Sequence, residues 1–472
     1  MENVRRSILQ VNVICSDLDE QDPRVVVGES EYTGTCFRVD PCFLKGLPFY
    51  DENKLFLVTN FHVVDDADDR TVCLRTAAMG RSMITAFVEA VVPKLDCAIL
   101  SINRDDDHPR SFLSREEVNS FLNNLGTVKL YEKRISSKPQ KVTTIGFPHC
   151  LEEQVSEGCM AGRGSDDDDY LQLNLSINGG NSGGPLVDTK GRVIGVCTST
   201  LSAAEAISFA VPSFSILNYF RKFYHAPFGR FPNWGLHCHA MTEAYKKVHN
   251  IRGVGALVNE VHPGSVAHGV IKPGDVIHSI GGHQLDMFGL IVDDTRGSKI
   301  KMDNTEFILG LEDYTVEVST RSNKRSIKLV PKPILYKVSE NFKEWNPLQV
   351  AELGPFIFQN LSTSLLTNGE VPADKSVELL DAARHTKSMK EIVIITKINP
   401  ASHVASFEVP EEYDRVLMIG RNKIDSMHDL VKNIDMVHRM YSAGEKYFSI
   451  KTTSGTMWFS LDRILSKKRK RA

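Results

Sequence analysis

Apolar residues in this chain fall mostly in short runs bounded by glycine, proline or polar clusters, a pattern that predicts strands before helices. Leu55-Phe56-Leu57-Val58 reads as a buried strand that runs out into Thr59-Asn60-Phe61-His62. Leu95-Asp96-Cys97-Ala98-Ile99-Leu100-Ser101-Ile102 reads as another, with an acid at its opening. Further on, Leu257-Val258-Asn259-Glu260-Val261 follows the glycine loop Gly253-Val254-Gly255-Ala256, and Glu391-Ile392-Val393-Ile394-Ile395 precedes the turn Asn399-Pro400-Ala401-Ser402. Helices are predicted in two places. Asp303 can cap one running through Phe307, Ile308 and Leu309, and a second lies near Ser376 to Arg384. No apolar run is long enough to cross a bilayer.

Between the predicted strands lies a turn with a chemical signature, Gly180-Asn181-Ser182-Gly183-Gly184-Pro185. A serine on such a turn presents its hydroxyl. The Gly180 and Ser182 N–H groups can then point at the spot where a tetrahedral oxyanion develops. The hydroxyl needs an imidazole to take its proton, and a carboxylate to fix that imidazole's tautomer. Of the fifteen histidines, His62 is best mounted, at the end of a core strand. His149, in Gly146-Phe147-Pro148-His149, sits on a proline-flanked loop. Asp96 is the preferred carboxylate, because Asp65 and Asp66 fall in a polar turn too near His62 in sequence. The order His62, Asp96, Ser182 is that of chymotrypsin-like double β-barrels.

Residues from about 8 to 225 resemble the protease domain of the HtrA/Deg family. The resemblance is carried by Gly34-Thr35-Cys36-Phe37, Thr59-Asn60-Phe61-His62-Val63-Val64, Leu95 to Leu100, Gln172 to Pro185, Gly191 to Val196 and Ile207 to Pro212. Cys36 stands where the family usually has glycine, and Gly179 where Pro or Ser is more usual. The run Gly253 to Ala256, Pro263-Gly264-Ser265 and Lys272-Pro273-Gly274-Asp275 resembles a PDZ domain of the HtrA type. Gly354 to Phe358, Glu391 to Ser402 and Asp414 to Gly420 look like a weaker copy with an insertion from Leu361 to Lys390. Pro355 there has no N–H to offer a carboxylate.

The fold class expected is therefore an all-β double β-barrel, chymotrypsin-like protease domain (1–227), followed by two α+β PDZ-type domains (228–332 and 333–465), the second degenerate, and a basic tail (466–472). The resemblance implies an ATP-independent serine endopeptidase acting on unfolded or damaged proteins, most like the plant-type intracellular Deg proteases. Its rival is a holdase or PDZ scaffold in which cleavage is secondary. No cofactor or metal is implied. Ser176, six residues before the nucleophile, and Ser208 are expected to line the S1 pocket. With no carboxylate there, aliphatic or small residues are expected before the cut. Gly253, Val254, Gly255 and Ala256 are expected to hold peptide C-termini, with the strand after them as the edge a peptide joins. The four-Asp run Asp166 to Asp169 reads as a solvated or regulatory loop. A homo-oligomer, at least a trimer, is implied, with Ile8 and Leu9 as apolar residues needing cover.

Composition narrows the setting. At 472 residues the length suggests about three domains, and 42% hydrophobic, 24% charged residues and a net charge of −3 argue for a folded protein and against nucleic-acid binding. Nine cysteines without a CxxC pair offer neither a metal site nor a disulfide framework, so reduced thiols and an intracellular setting are expected. Met1 to Ile8 has no apolar run of the signal-peptide kind. The basic cluster Lys467, Lys468, Arg469, Lys470 and Arg471 suggests an import receptor as partner and a nuclear location, with the cytoplasm as alternative.

Overall fold

The computed structural model describes residues 1–106, 108–136, 138–148, 153–163, 170–175, 177, 179–200, 207–293, 298–302, 313–320, 323–333, 349–367, 369–385, 390–400, 402 and 410–465. Two antiparallel β-barrels, each closed by six strands, make up the N-terminal half. After the short helix α1 (Glu2–Arg5), the first barrel is built from β1 (Ile8–Leu18), β2 (Val26–Arg38), β3 (Lys54–Thr59), β4 (Thr71–Arg75), β5 (Ile84–Val92) and β6 (Cys97–Asn103). Their order around the barrel is β1-β2-β3-β6-β5-β4. Strands β3 and β6 are almost wholly buried and pair Leu55 with Ile102, Leu57 with Leu100 and Thr59 with Ala98. That register sets the end of β3, and so His62, beside the start of β6, and so Asp96.

Helix α2 (Arg115–Asn124), capped by a reciprocal Ser114–Glu117 box, leads to the second barrel. Its strands are β7 (Gln140–Gly146), β8 (Gln154–Arg163), β9 (Leu171–Asn174), β10 (Pro185–Asp188), β11 (Val193–Thr200) and β12 (Ile207–Pro212), ordered β10-β11-β12-β9-β8-β7. Together the two make a chymotrypsin-like double β-barrel. Ile8 and Leu9 are 2% and 0% exposed within the chain itself. They need no second copy to cover them, so the expectation of an interface built on their exposure is corrected: β1 is a barrel strand, with Gln10 registered on Arg75.

Helix α3 (Ser213–Lys222) turns Tyr219 and Phe220 into the same apolar cluster as Trp234 and Leu236. The chain after it is stitched back to the first barrel, with Val91 N–H bonding Pro227 O at 2.8 Å and Gly229 N–H bonding Val91 O at 2.7 Å. The first C-terminal module opens with β13 (Pro232–Asn233), β14 (Leu236–Ala240) and α4 (Glu243–His249). It continues with β15 (Ala256–Val261), β16 (Val276–Ile280), β17 (His283–Gln284), β18 (Leu290–Asp293), β19 (Ser298–Lys301), β20 (Thr315–Thr320), β21 (Asn323–Lys328) and β22 (Lys332–Pro333). Its main sheet runs β14-β15-β16-β20-β21, while β13 pairs with β22. This module forms one compact unit with the barrels, Met1–Ile14 plus Glu31–Ile334. The predicted helix behind Asp303 lies outside the described residues.

The other unit is discontinuous: Leu335–Ala472 together with Cys15–Ser30, the outer part of the β1–β2 hairpin. Its strands β23 (Val350–Leu353), β24 (Phe356–Asn360) and β25 (Val393–Ile398) form one sheet. Between β24 and β25 stand α5 (Thr363–Thr367) and α6 (Ala373–His385), the latter over the predicted helical stretch. Then come β26 (Val416–Ile419), β27 (Asn422–Lys423), α7 (Met427–Ser442), β28 (Tyr447–Thr452), β29 (Thr456–Ser460) and α8 (Leu461–Leu465), with a second sheet ordered β27-β26-β28-β29. Leu353, Phe356, Phe358, Val393 and Ile395 share a core with Leu430 and Val437 of α7.

Candidate active site

Asp96 does not lie in β6 but one residue before it, in a left-handed conformation (φ 46°) at the end of the short turn Pro93–Leu95. For a non-glycine residue this is a strained choice. It turns the carboxylate back toward the end of β3. There Oδ2 and Oδ1 lie 2.8 and 3.0 Å from His62 Nδ1, and Oδ1 also accepts the His62 backbone N–H at 3.0 Å. Thr198 Oγ1, from β11 of the second barrel, donates to Asp96 Oδ2. Asn60 Nδ2 donates to the Asp96 carbonyl at 2.8 Å.

Burial alone would depress the His62 pKa, but the bond to Asp96 and its charge outweigh that and leave it raised. Burial alone would raise Asp96, yet its bonds to His62 and Thr198 hold the carboxyl below its ordinary value. Nearby Asp65 is pushed up to about 6 by burial and by the charge of Asp66. The pair His62–Asp96 is thus arranged to keep the carboxylate ionised and to favour a proton on the imidazole.

Ser182 sits on the turn leading into β10. Gly180 (φ 97°) and Gly183 (φ 88°) take left-handed backbone there. At Gly183 a Cβ would lie 1.9 Å from the Thr35 carbonyl oxygen, so only glycine fits. Thr35, from β2, braces the turn twice: its N–H donates to Ser182 O at 2.8 Å and its hydroxyl to Gly180 O at 2.7 Å. Among the described residues, neither the Gly180 nor the Ser182 N–H is donated to a protein acceptor. Ser182 Oγ donates to the Thr198 carbonyl at 2.7 Å, and among the described residues it has no hydrogen bond to His62. The structure therefore brings His62 and Asp96 into direct contact, and joins both to the Ser182 turn through Thr198.

The sequence reading missed Thr35, Asn60 and Thr198. Thr35 and Asn60 lay inside quoted motifs with no role given to them. Thr198 follows the apolar run Val193–Cys197 as the first polar residue, the same signal that picked out His62. Of the expected pocket residues, Ser208 is fully buried and spends its hydroxyl on Leu175 O at 2.8 Å. Ser176, like His149, Asp166 to Asp169 and Lys467 to Arg471, lies outside the described residues. Among the described residues no group of three or more His, Cys, Asp or Glu side chains is placed to hold a metal ion, and no helix is long and apolar enough to cross a membrane.

The peptide-binding expectation needs correction. Gly253 to Ala256 lead into β15, which is an interior strand paired with β14 on one side and β16 on the other. The Val254 carbonyl is bonded to His278 Nδ1 at 2.6 Å. The open edge is β14, which begins at Leu236 just after Gly235 (φ 73°) and, among the described residues, pairs only with β15. A backbone edge is set by which strands pair, and β15 already has two neighbours.

Residues 34–196 match the model of the trypsin-like peptidase domain family. A probable periplasmic serine endoprotease, DegP-like, of Bartonella henselae is 27% identical over 250 residues, 51% of this chain and 46% of that protein. The periplasmic serine endoprotease DegP of Escherichia coli K12 is 29% identical over 254 residues, 51% of this chain and 49% of that protein. The chain thus spans about half the length of the curated relatives it matches. Among solved structures, the HtrA-type protease AlgW with decapeptide aligns over 70% of this chain and 98% of its own, at 19% identity and a TM-score of 0.47.

These relatives overturn the nuclear expectation, because several are named periplasmic and point to an extracytoplasmic setting. The nuclear expectation rested on the basic cluster Lys467–Arg471 and on unpaired thiols, and the thiols do not report a compartment. Cys36, Cys97 and Cys197 are at most 1% exposed, and burial pushes each thiol up, Cys197 to about 12. A buried thiol whose ionisation is suppressed and that lies beside no second thiol is indifferent to the redox state outside it.

Proposed function

We propose that the chain carries a trypsin-like serine protease of the HtrA/Deg type and acts as an ATP-independent endopeptidase of unfolded or damaged polypeptides, a reading supported by the match of residues 34–196 to the trypsin-like peptidase domain. His62, Asp96 and Ser182 are its triad. In this reading substrate draws Ser182 Oγ off the Thr198 carbonyl and onto His62 Nε2. His62 takes the proton, Oγ attacks the scissile carbonyl, and the Gly180 and Ser182 amides receive the oxyanion. His62 then returns the proton to the leaving amine, and water, deprotonated in turn by His62, hydrolyses the acyl-enzyme. Asp96 fixes the imidazole tautomer and stays ionised throughout. The observation that carries the reading is the Asp96 carboxylate, held between His62 of one barrel and Thr198 of the other, beside a serine turn whose Gly180 and Ser182 amides have no acceptor among the described residues.

The absence of a carboxylate six residues before Ser182, where the sequence has a serine, supports cleavage after aliphatic or small residues. The β14 edge of the first C-terminal module supports capture of peptide C-termini by strand addition, as in PDZ domains. Assembly as a trimer or larger, in an extracytoplasmic setting, belongs to the same reading.

The test is labelling with a fluorophosphonate and digestion of a denatured protein. Wild type labels at Ser182, and Ser182→Ala loses both activities by about 10⁴-fold or more while keeping its fold by circular dichroism. Undiminished digestion by Ser182→Ala removes the proposal. The pH profile adds a second check. His62 works as a base only when neutral and its pKa is raised, so kcat/KM climbs with pH along a limb centred above 6.5. A limb centred below that value contradicts the assignment.

A further inference from the structure

The β1–β2 hairpin extends beyond the barrel it helps to close, and its outer part, Cys15–Ser30, packs with Leu335–Ala472. Polar side chains that are fully buried seat its tip. Gln359 Nε2, on β24, lies 3.1 and 2.8 Å from the carbonyl oxygens of Glu20 and Gln21. Thr396 Oγ1, on β25, donates to Gln21 O at 2.9 Å and lies 3.0 Å from the same Gln359 amide. Gln359 and Thr396 are both 0% exposed. Gln21 Nε2 donates to the Tyr413 hydroxyl at 2.8 Å. Arg24 joins Asp22 within the arm to Glu352 on β23 at 2.7 and 2.8 Å. The exposed ion pair adds little, but a buried carbonyl left without a donor costs about 1–3 kcal/mol. The tip therefore has one seat.

The far end of the same strand reaches the nucleophile turn. β2 runs unbroken from Val26, at the tip, to Arg38 and carries Thr35 on the way. Thr35 is itself fixed on every polar atom. Its hydroxyl also accepts Phe147 N–H at 3.1 Å, its carbonyl accepts Thr59 Oγ1 at 2.8 Å, and its N–H and hydroxyl hold Ser182 O and Gly180 O. Gly183 lies so close to the Thr35 carbonyl that the turn has no slack against movement of β2.

We infer that the arm and the second C-terminal module form a clamp on β2, in which seating Gln21 on Gln359, Thr396 and Tyr413 fixes the strand from which Thr35 aligns the Gly180–Ser182 turn. Gln359, Thr396, Tyr413 and Thr35 are then positioning residues, and the module acts on the chemistry without touching substrate. An unseated arm frees β2 to shift, and the two amides lose their common aim. The inference rests on the proteolytic reading of Ser182.

The full-length chain carries the test. Thr396→Val removes the hydroxyl and keeps the shape, Thr396→Ser keeps the hydroxyl, and Tyr413→Phe removes the acceptor for Gln21. Fluorophosphonate labelling, kcat and KM are measured together with hydrogen exchange across residues 34–37. Thr396→Val and Tyr413→Phe are expected to slow labelling and kcat by about tenfold, the usual size of such couplings. KM stays within roughly twofold, since the lost alignment matters in the transition state. The Thr35 amide exchanges faster, and Thr396→Ser restores wild-type values. Wild-type labelling and exchange in both Thr396→Val and Tyr413→Phe overturn the clamp. If wild type itself does not label, the proteolytic reading fails, while exchange at residues 34–37 still decides whether the arm governs β2.

Discussion

The two C-terminal modules share a plan and differ at one edge. In the first, the strand ahead of the glycine turn, β13, pairs with β22 and leaves β14 open. In the second, β23 folds straight back across Gly354-Pro355 and pairs with β24 from Val350–Gln359 to Leu353–Phe356, then packs on α7. A peptide adding to β24 would need the place β23 already fills. Among the described residues, one module thus leaves β14 with a single neighbour, while in the other β23 lies against β24 and the sheet seats the arm. The same plan is visible inside. Asp275 and Asp414 stand just before β16 and β26, each accepts the N–H three residues back (Lys272 at 3.0 Å, Glu411 at 3.1 Å), and each binds a threonine, Thr320 or Thr452. Their cations differ. Arg325 beside Asp275 keeps 42% of its side chain exposed, whereas Lys375 beside Asp414 keeps 14%.

That difference predicts unequal damage. Asp414→Ala removes the buried partner of Lys375 and leaves it only the half-exposed Glu411 at 3.0 Å and Ser454, so it is expected to destabilise the second unit by about 3 kcal/mol, the low end for a broken buried pair. Asp275→Ala lets Arg325 turn to water and is expected to cost about 1–3 kcal/mol, the loss of its hydrogen bonds. Urea unfolding followed by fluorescence and by limited proteolysis of each unit ranks the two, and equal costs break the comparison. Acid sharpens it further. Burial would raise Asp414, but Lys375, Ser454 and Thr452 overcome this and hold it low. Its stabilising contribution is complete above the unfolded value of 3.8 and drains away as pH falls through the lower folded value. An acid scan in which Asp414→Ala narrows its deficit only below pH 3.8 is the expected result.

The smallest effect concerns the edges themselves. A free C-terminal peptide binding at micromolar strength is expected to slow amide exchange across Leu236–Ala240 and to leave Phe356–Asn360 unchanged. Protection over Phe356–Asn360 instead would reverse the roles given to the two modules.

Much of the site could be read before any fold was known, because its parts lie at the ends of apolar strands: His62 after β3, Asp96 before β6, Ser182 on a glycine turn before β10. Such positions are local properties of the chain. The Asp275 and Asp414 turns repeat for the same reason. Edges and seats are not local. Nothing in Gly253 to Ala256 reveals that β15 has neighbours on both sides, and that depends on where Leu236–Ala240 folds. Gln359 is one polar residue in Phe356–Asn360, and the backbone carbonyls it holds lie more than three hundred residues away. Side-chain packing across the expected 227/228 boundary is equally non-local: Tyr219 stacks on Phe231, in the same apolar cluster as Trp234.

The discontinuous second unit also sets an order of events during synthesis. Gln21 leaves the ribosome 338 residues before Gln359. At about 5–20 residues per second the arm waits roughly 17–70 s for its seat. Through that interval it is an unsheltered hairpin, the kind of element that recruits other strands. Its tip is written against that hazard: Asp17, Asp19, Glu20 and Asp22 crowd one short stretch with negative charge, closed by Pro23. Of these residues, Asp22 later pairs with Arg24, Asp19 with Lys397, and the Glu20 carbonyl receives the Gln359 amide.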